Sequence, residues 1–545
     1  MKVSQEFLLP PPIGGLNLRD TETQFPQGGG VPLSDAVGLT NIFPGSTTAD
    51  VRGGYEEYVD LTDDASFGSP PTTTFGTGDA AVKTLATLVR GANTYFVAGC
   101  DGGFVDISIT TLTQLTAQGT HTSSRWNWVN FTDSAGSGNE LLLVNGADTP
   151  QSFDGTTMSS WTFSAETGSI TSADVIGIIT FKNRVYLWEN DSTDFWYGYL
   201  GKKPGTTASV DRVRRFPLSA VRGIQGNIIA MEAWTRDAGD GADDYLAIIL
   251  SSGVVAIYQG TDPDTVDASI GSRAWALVGV YQIPPPIDAR AVNKFLDDVV
   301  IVTESDVVFL SQVIRNQGIT GTESKIAPLV KRLAAQFKTL EGWELTLWPE
   351  GARVYLNVPG SGSSSSQIVF NTRTLAACEY QGYDACSFGA YNGGIYFSDA
   401  NGIVWLAETG AQDNGGEIEA DWRTPLLTFG KTGVKTISAI RPDLTVSDPV
   451  SIAALDSTDF ATRLPVATTS TGDSTGWIWD TSPSSGPTWD DLKWSGLQDR
   501  TPQHTWKILS GTGEKHSVSL QVRLDDIAMT INSMGIAWMP GSNWM

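Results

Sequence analysis

The chain has 545 residues and a formal net charge of −25, from 35 Lys and Arg against 60 Asp and Glu. Such a charge excludes a protein that grips nucleic acid over most of its surface, because DNA affinity comes largely from Lys and Arg displacing counterions from phosphates. Only 17% of the residues are charged and 58 are Gly, a composition typical of a turn-rich β-protein.

The N-terminal segment carries the densest motif, PPIGGLNLRD followed later by NIFPGSTTADVRGGYEEY. It has no apolar core of signal-peptide length, and no stretch of the chain approaches the 18 uninterrupted apolar residues of a membrane helix. Glycines supply tight turns there, and Phe43, Tyr55 and Tyr58 supply packing anchors. The sequence predicts an extended arm over residues 1–60, which Arg52 fixes through hydrogen bonds to carbonyls or to a carboxylate.

A hairpin pattern follows, in which a β-branched and aromatic run, a polar turn and a second apolar run succeed one another. Seven copies begin at Tyr95, Leu141, Val185, Tyr245, Val299, Val354 and Ile395. Their spacing leaves room for the second hairpin of a four-stranded blade. The sequence therefore predicts an all-β fold with a β-propeller of six to eight blades over residues 61–415. A string of separate β-sandwiches is the competing interpretation, which the even spacing disfavours.

Two charged segments interrupt this pattern. The segment 201–222 sets Asp211 against six basic residues, Lys202, Lys203, Arg212, Arg214, Arg215 and Arg222. In an acidic protein it is predicted to contact an acidic neighbouring chain rather than phosphate. The acidic segment 237–244 could chelate Ca²⁺, although it departs from EF-hand spacing and a solvated turn fits better.

One segment has helical periodicity. In TESKIAPLVKRLAAQFKTL the apolar residues fall on one face, with Ser324 placed to cap the helix and Pro328 in its first turn. The sequence predicts a helical insertion near 322–340 that packs on or between blades, with a docking helix for a partner as the alternative.

After residue 415 the chain changes to short alternating strands. The sequence predicts a C-terminal β-sandwich domain over 416–545, with a Trp-rich loop at 476–506. That loop contains Trp477, Trp479, Trp489, Trp494 and Trp506. Because so many tryptophans cannot all lie in water, they form either a local core or a contact with another chain.

Catalytic constellations are not evident. His121, His504 and His516 lie outside any nucleophile or metal-ligand pattern, and no phosphate-binding loop is present. The three cysteines lack metal-ligand spacing and are predicted to be buried free thiols. SDANGIVW resembles the Asp-box turn of sialidase-like propellers but has Ala400 in the Asp position, so a plain hairpin turn is predicted. We expect no catalytic residues, no metal and no cofactor.

The N-terminal motif resembles the opening of the tail hub or nozzle proteins of short-tailed bacteriophages, a family also called DNA-stabilising tail proteins. Their pattern, GGxNxRD, a polar DA step, NxFP and RxGY, is matched at Gly14, Gly15, Asn17, Arg19, Asp20, Asp35, Ala36, Asn41, Phe43, Pro44, Arg52, Gly54 and Tyr55. The match covers residues 12–58, and Ile42 stands where Trp is common in the family.

The resemblance implies a virion tail protein made in the host cytoplasm and without enzymatic activity. It further implies a homo-hexameric ring below the portal and adaptor proteins, which carries tail fibres and encloses a channel for DNA ejection. An acidic channel wall suits passage of DNA, because a wall that paired with phosphates would slow transit. The basic residues of 201–222 and the tryptophans of 476–506 then become candidate interface residues.

Two further functions remain open from the residues alone. A propeller glycoside hydrolase or depolymerase would need only two suitably placed carboxylates. A glycan-binding adhesin would use tryptophans that stack on sugar rings without cutting them.

Overall fold

The computed structural model describes residues 4–20, 22, 30–62, 81–108, 113–115, 121–134, 136, 138–237, 242–263, 266–267, 272–273, 275–295, 298–315, 323–459, 465–472 and 501–541. Strands make up 53% of the protein and helices 7%, which confirms the predicted all-β class. The chain divides into two compact units. Unit 1 is Met1–Glu56, Ile368–Gly382 and Ala407–Met545, and unit 2 is Glu57–Gln367 and Tyr383–Leu406.

Seven short strands begin the chain. They are β1 Gln5–Leu9, β2 Gly15–Leu16, β3 Asp35–Ala36, β4 Gly38–Thr40, β5 Ile42–Pro44, β6 Ala49–Val51 and β7 Gly54–Asp60.

The next strands form four small antiparallel sheets in chain order. The first has β8 Val82–Arg90, β9 Asn93–Cys100, β10 Gly103–Asp106 and β11 Thr113–Leu115. The second has β12 Asn127–Thr132, β13 Asn139–Val144, β14 Gln151–Phe153 and β15 Met158–Ser160. The third has β16 Val175–Phe181, β17 Arg184–Glu189, β18 Phe195–Tyr197 and β19 Arg214–Phe216. The fourth has β20 Ile228–Asp237, β21 Ala242–Leu250, β22 Val254–Gly260 and, after the small hairpin of β23 Val266–Asp267 and β24 Ser272–Arg273, β25 Trp275–Gln282.

Two helices follow the fifth sheet, before the remaining blade strands. This sheet has β26 Val292–Phe295, β27 Asp298–Val302 and β28 Val307–Phe309, and the helices are α1 Leu310–Arg315 and α2 Ala327–Phe337. The next strands are β29 Glu344–Trp348, β30 Arg353–Pro359, β31 Ser365–Asn371 and β32 Ala377–Tyr380. The last hairpin strands are β33 Ser387–Tyr391, β34 Gly394–Ser398 and β35 Ile403–Thr409, and β7 pairs with β35.

Unit 2 is a β-propeller. Six separate sheets form blades. Strands β29 and β30, with the first residues of β31, form a further set between the β26 and β33 sheets, so the number of blades lies within the predicted six to eight. The first strands of successive sheets, β8, β12, β16, β20, β26, β29 and β33, contact one another in order, and β33 returns to β8. Apolar clusters fill the spaces between neighbouring sheets, as between the β16 and β20 sheets. The propeller is therefore a closed ring with its core between the blades.

Side-chain hydrogen bonds also join the blades at the inner strands. Each runs from a polar side chain to a backbone carbonyl of the adjacent sheet, which satisfies a donor that burial would otherwise penalise. They are Thr87 Oγ1 to Ala390 O at 3.1 Å, Asn130 Nδ2 to Thr87 O at 2.9 Å, Asn127 Nδ2 to Ile176 O at 2.7 Å and Asn293 Nδ2 to Leu345 O at 2.8 Å.

All seven predicted hairpins are present, as β9–β10, β13–β14, β17–β18, β21–β22, β27–β28, β30–β31 and β34–β35. The SDANGIVW stretch is the turn between β34 and β35, as predicted. Its buried Asp399 accepts the backbone N–H groups of Asn401 and Ile403 at 2.9 Å each. The carboxylate therefore organises a turn, because both of these contacts satisfy local backbone donors.

The predicted helix exists, but its start differs. The helix α2 begins at Ala327 after Ile326, which gives no side-chain cap. Ser324 does not cap it, because its hydroxyl and its backbone N–H both contact the Asp306 carboxylate, a stronger acceptor. The buried face of the helix contains Leu329 and Val330, as predicted. The preceding helix α1 was not predicted from the sequence.

Unit 1 contains two facing sheets built around long C-terminal strands. The strands after residue 415 are β36 Ile418–Arg423, β37 Lys435–Val446, β38 Ala453–Thr458, β39 Thr469–Thr471, β40 Thr501–His504, β41 Lys507–Gly513, β42 His516–Asp525 and β43 Met529–Pro540. One sheet has the order β40-β37-β43-β6-β5, with β1 on β43 and β41 on β37. The other includes β32, β4, β36, β42 and β38 in that order, with β39 on β42. Apolar residues of both sheets line a small interior space between them.

The N-terminal segment is not a separate arm. Its strand β1 pairs with β43, with Gln5 opposite Trp538, and β4 pairs with β36. The division at Glu56 and Ala407 places residues 1–56 in the same unit as the C-terminal strands. These short strands lack enough apolar surface to fold alone, so they gain backbone partners and burial from strands distant in sequence. Within the described residues, no helix is long and apolar enough to span a bilayer.

Candidate functional site

Arg52 forms the most heavily bonded site of the N-terminal motif. Its guanidinium makes two hydrogen bonds to the Asp413 carboxylate, at 2.7 and 2.6 Å, and donates to the carbonyls of Gly53 and Gln381 at 2.9 and 2.8 Å. Its Nε donates to Asn41 Oδ1 at 3.0 Å. The Arg52 side chain is 1% exposed. The prediction that Arg52 fixes this segment through carbonyls or a carboxylate is confirmed.

Asn41 is the second centre of the same network. Its φ of 55° is left-handed, a conformation that Asn tolerates better than most residues. Its backbone N–H donates to Glu379 O and its Nδ2 donates to Glu419 O, both at 2.8 Å. Arg52 and Asn41 together therefore connect three separate chain segments of unit 1.

The two glycines after Arg52 permit close backbone contact. A Cβ on Gly54 would lie 1.7 Å from Gln412 O, and one on Gly53 would lie 2.7 Å from Glu408 Cα. Gly53 N–H also donates to a carboxylate oxygen of Glu408 at 3.0 Å. Only glycine fits at these positions, which explains the Arg-Gly-Gly sequence.

A second polar cluster contains the first part of the motif. Asn17 Nδ2 donates to Asp35 at 2.8 Å and to Asp20 at 3.0 Å, and Asp20 pairs with Arg19 at 2.9 Å. Gly14 lies against Asp35, where a Cβ would meet the carboxylate oxygen at 1.8 Å. The first part of the motif therefore binds to itself, whereas Asn41 and Arg52 bind other parts of unit 1.

Half of the six basic residues in the segment 201–222 form ion pairs within unit 2. Lys202 lies 3.6 Å from Asp133, Lys203 lies 2.6 Å from Glu140, and Arg215 contacts Asp194. The other three basic residues have different surroundings. The Arg214 guanidinium lies 4.3 Å from the Tyr199 ring centroid. Arg212 is half-buried and Arg222 is exposed. The segment therefore offers a neighbouring chain less free positive charge than its sequence suggests.

The Trp-rich loop is represented by a single described tryptophan. Trp477, Trp479, Trp489 and Trp494 lie outside the described residues. Trp506 is 45% exposed, and the Arg441 guanidinium lies 5.2 Å from its ring centroid. Residues 238–241, the middle of the acidic segment 237–244, also fall outside the described part of the chain, so its two interpretations stay open.

A polar cluster at the propeller axis was missed by sequence reasoning. Inner strands line a cavity of about 410 Å³ whose wall includes Glu232, Arg290, Glu344 and Trp128. Burial raises the pKa of Glu232 to about 8, against the opposing charge of Lys294. The only sequence signal for this cluster is that charged residues occur within or beside apolar inner strands.

Arg290 joins blades on different sides of this axis. It donates to Lys83 O at 2.8 Å, to Thr84 Oγ1 at 2.9 Å and to Trp126 O, and it lies 3.6 Å from Glu344. Burial lowers the pKa of Arg290 to about 10, although Glu344 opposes this shift. Arg290 therefore connects inner strands of different blades through its guanidinium group.

His121 packs against aromatic rings, and two of the three cysteines are buried. The His121 ring lies 5.1 Å from the rings of Phe104 and Trp126. Cys100 and Cys378 are buried free thiols, as predicted, and Cys386 is half-buried. Among the described residues, no three His, Cys, Asp or Glu side chains are placed to hold a metal ion.

His516 contacts acceptors through both ring nitrogens. Its Nδ1 lies 2.8 Å from an Asp456 oxygen, and its Nε2 lies 3.2 Å from the carbonyls of Lys435 and Gly513. Carbonyls and carboxylates only accept hydrogen bonds, so a ring nitrogen that bonds to one of them is the donor. The pair is fully buried within unit 1 and forms part of its core.

Comparisons with known proteins give a fold likeness only. No family model and no curated protein matches the chain. Among solved structures, it is similar to the extracellular domain of the one component system BT4673 from B. thetaiotaomicron, at 8% identity and a TM-score of 0.39, over 76% of this chain and 49% of that chain. It is also similar to BBS1N in complex with ARL6DN, in a mercury-soaked crystal, at 9% identity and a TM-score of 0.36, over 66% of this chain and 97% of that chain. This chain thus spans about half the length of the first of these structures. The propeller assignment depends on the sheet topology of this chain.

Proposed function

We propose that this protein is a non-enzymatic subunit of a short-tailed bacteriophage tail, a hub or nozzle protein that assembles as a ring of six copies. In this proposal the ring lies below the portal and adaptor proteins, carries tail fibres, and conducts DNA through its lumen without binding it tightly. The virion tail would be its final location after synthesis in the host cytoplasm.

The observation that carries the proposal is that the N-terminal motif makes its contacts inside the fold. Two residues that resemble the tail-hub pattern, Asn41 and Arg52, bind other segments of unit 1, and Asn17 binds Asp35 within the motif. A motif used in this way supports a structural role, because its polar groups are occupied inside the fold. The propeller supports the same role, since blades joined by apolar clusters and inner-strand hydrogen bonds form a stiff element.

The acidic charge supports passage of DNA rather than its retention. Six chains of charge −25 would present a strongly negative ring. At physiological salt this field decays over about 8 Å, so it acts on DNA only at close range. Phosphates would meet few cations able to hold them, which suits rapid ejection.

Mass photometry and negative-stain microscopy of the purified chain test the proposal. We expect a closed ring of six copies, and antibodies against this protein should label the tail of the intact virion. A strict monomer that releases reducing sugar from a host-envelope extract would overturn it.

Arg222 is the best residue for testing the interface hypothesis. It is exposed and makes no ion pair with the described residues, whereas replacing Arg215 would also break its contact with Asp194. We expect Arg222→Glu to reduce ring formation while leaving the monomer folded. Arg373→Glu, a change at an exposed arginine of unit 1, is the control. Equal assembly of both variants would remove the basic segment from the interface.

The axial cavity favours a second candidate function, a propeller glycoside hydrolase or glycan-binding adhesin. Glu232 and Glu344 both line the cavity, together with Trp126, Trp128 and Trp188. A carboxyl group that keeps its proton near neutral pH could serve as a general acid. Hydrolysis of host-surface polysaccharide that is lost in Glu232→Gln would support this candidate, and unchanged hydrolysis would exclude the cavity as its site.

A further inference from the structure

A second cavity in unit 2 has no role in the proposed assembly. It measures about 520 Å³, within the usual range for small-ligand pockets. One wall is the segment 360–365, which connects β30 to the start of β31, and another is the end of α2 together with the residues that follow it. Lys83, Arg125 and Cys386 complete its lining.

Two cationic side chains of this cavity have unused hydrogen-bonding capacity. Lys83 makes no ion pair or side-chain hydrogen bond within the described part of the chain. Arg125 uses Nη2 for Asp288 at 3.0 Å and for Trp343 O at 2.7 Å, but its buried Nη1 has no hydrogen-bond partner among the described atoms. An unpartnered guanidinium N–H away from water is costly, and a bound acceptor would remove that cost.

The loop opposite these cations is rich in hydroxyl groups. Its sequence, GSGSSS, places Ser361, Ser363 and Ser364 on the lining, and all three residues are exposed. Gly362 has a φ of 74°, a left-handed conformation that glycine adopts without strain. The cavity thus combines cations on one side with hydroxyl groups and backbone on the other.

We propose that this cavity binds a phosphate group carried on a small hydroxylated molecule. Lys83 and the free Nη1 of Arg125 would hold the phosphate oxygens, because cation-assisted hydrogen bonds to oxyanions are among the strongest in proteins. The serine loop would bind hydroxyl groups of the carrier, for which the volume leaves room. Glu341 also lines the cavity, and its negative charge limits affinity for the anion.

Isothermal titration calorimetry with the full-length chain tests this site. Glucose 6-phosphate, inorganic phosphate and glucose are the probes. We expect saturable binding of the phosphate ester, weaker binding of inorganic phosphate and none of glucose. Lys83→Gln should weaken the ester about tenfold, and Glu341→Gln should tighten it several-fold, because each change alters the charge that meets the phosphate.

Lys331→Gln is the matched control, because Lys331 is an exposed lysine of α2 outside the cavity lining. Its affinity for glucose 6-phosphate should equal that of the unaltered chain. Absence of binding, equal binding of glucose, or equal weakening by the Lys83 and Lys331 changes would each overturn the proposal. Tighter binding of a short DNA duplex than of the ester would overturn it too, because a nucleic acid backbone would then be the ligand. Ligand binding measured by calorimetry does not depend on ring assembly, which mass photometry tests separately.

Discussion

Unit 1 and unit 2 are both built of strands, but the chain assembles them by different means. In unit 2, strands that follow one another in sequence pair as hairpins, and each sheet then packs on the next. In unit 1, β1 and β6 from the start of the chain pair with β43 near its end. The propeller therefore depends on local pairing repeated around a ring, whereas unit 1 depends on a few polar residues that join distant segments.

This difference explains where the motif lies. A hairpin fixes its own register through its turn, so no single residue is indispensable to a blade. Short strands from distant parts of the chain have no such turn, and a buried side chain with several fixed partners can hold them instead. Arg52 has that position in unit 1, and Arg290 has the closest equivalent in unit 2.

The largest effect is expected for Arg52→Ala. The change leaves the Asp413 carboxylate and two carbonyls without their partner, so unit 1 should lose about 3–5 kcal/mol of stability. Hydrogen exchange read by mass spectrometry should show lost protection in unit 1 before unit 2. Arg373→Ala, at an exposed arginine of unit 1, should change little. Equal loss of protection in the two units would contradict the distinction drawn between them.

A smaller effect is expected for Arg290→Met, which keeps the apolar stem but removes the hydrogen bonds to Lys83 O and Trp126 O. Loss of these charge-assisted bonds should destabilise the propeller by about 2–3 kcal/mol. The measurement is the urea concentration at which half of unit 2 is unfolded, detected by hydrogen exchange. An unchanged midpoint would mean that the apolar clusters alone hold the ring.

Glu232 should give the propeller a pH dependence. Because burial raises its folded pKa from 4.5 to about 8, its contribution is fully present below pH 4.5 and is lost as pH rises through 8. We expect unit 2 to lose stability progressively between pH 5 and pH 9, and Glu232→Gln to abolish most of that slope. Glu350→Gln, at an exposed site of the same unit, should leave the slope unchanged. A slope that persists in Glu232→Gln would assign it to other groups.

The smallest effect is expected at the Arg441–Glu6 pair, which joins β37 to β1 at 2.9 Å. The two side chains are 38% and 49% exposed, so solvent screens their attraction. Glu6→Gln should change the stability of unit 1 by less than about 0.5 kcal/mol. A change near that of Arg52→Ala would show that surface charge, rather than buried hydrogen bonds, attaches the N-terminal strands.

The hairpins of the propeller were predictable because the signal is local. Each consists of two apolar runs and a polar turn within about 15 residues, and all seven occur where the sequence indicates. The inner strands were harder to recognise, since strands such as β12 mix exposed, half-buried and buried residues without regular alternation. The axial residues Glu232 and Arg290 could not be grouped from sequence, because ring closure alone brings them together.

The sequence by itself determined the all-β class, the repeated blade hairpins, the amphipathic helix and the bonding role of Arg52. Each follows from residue periodicity, turn chemistry or the donors that a guanidinium carries. Tertiary structure decided that the N-terminal segment joins the C-terminal strands, that half of the basic residues in 201–222 form internal ion pairs, and that two cavities form in the propeller. These features depend on pairing between residues distant in sequence, which local patterns do not specify.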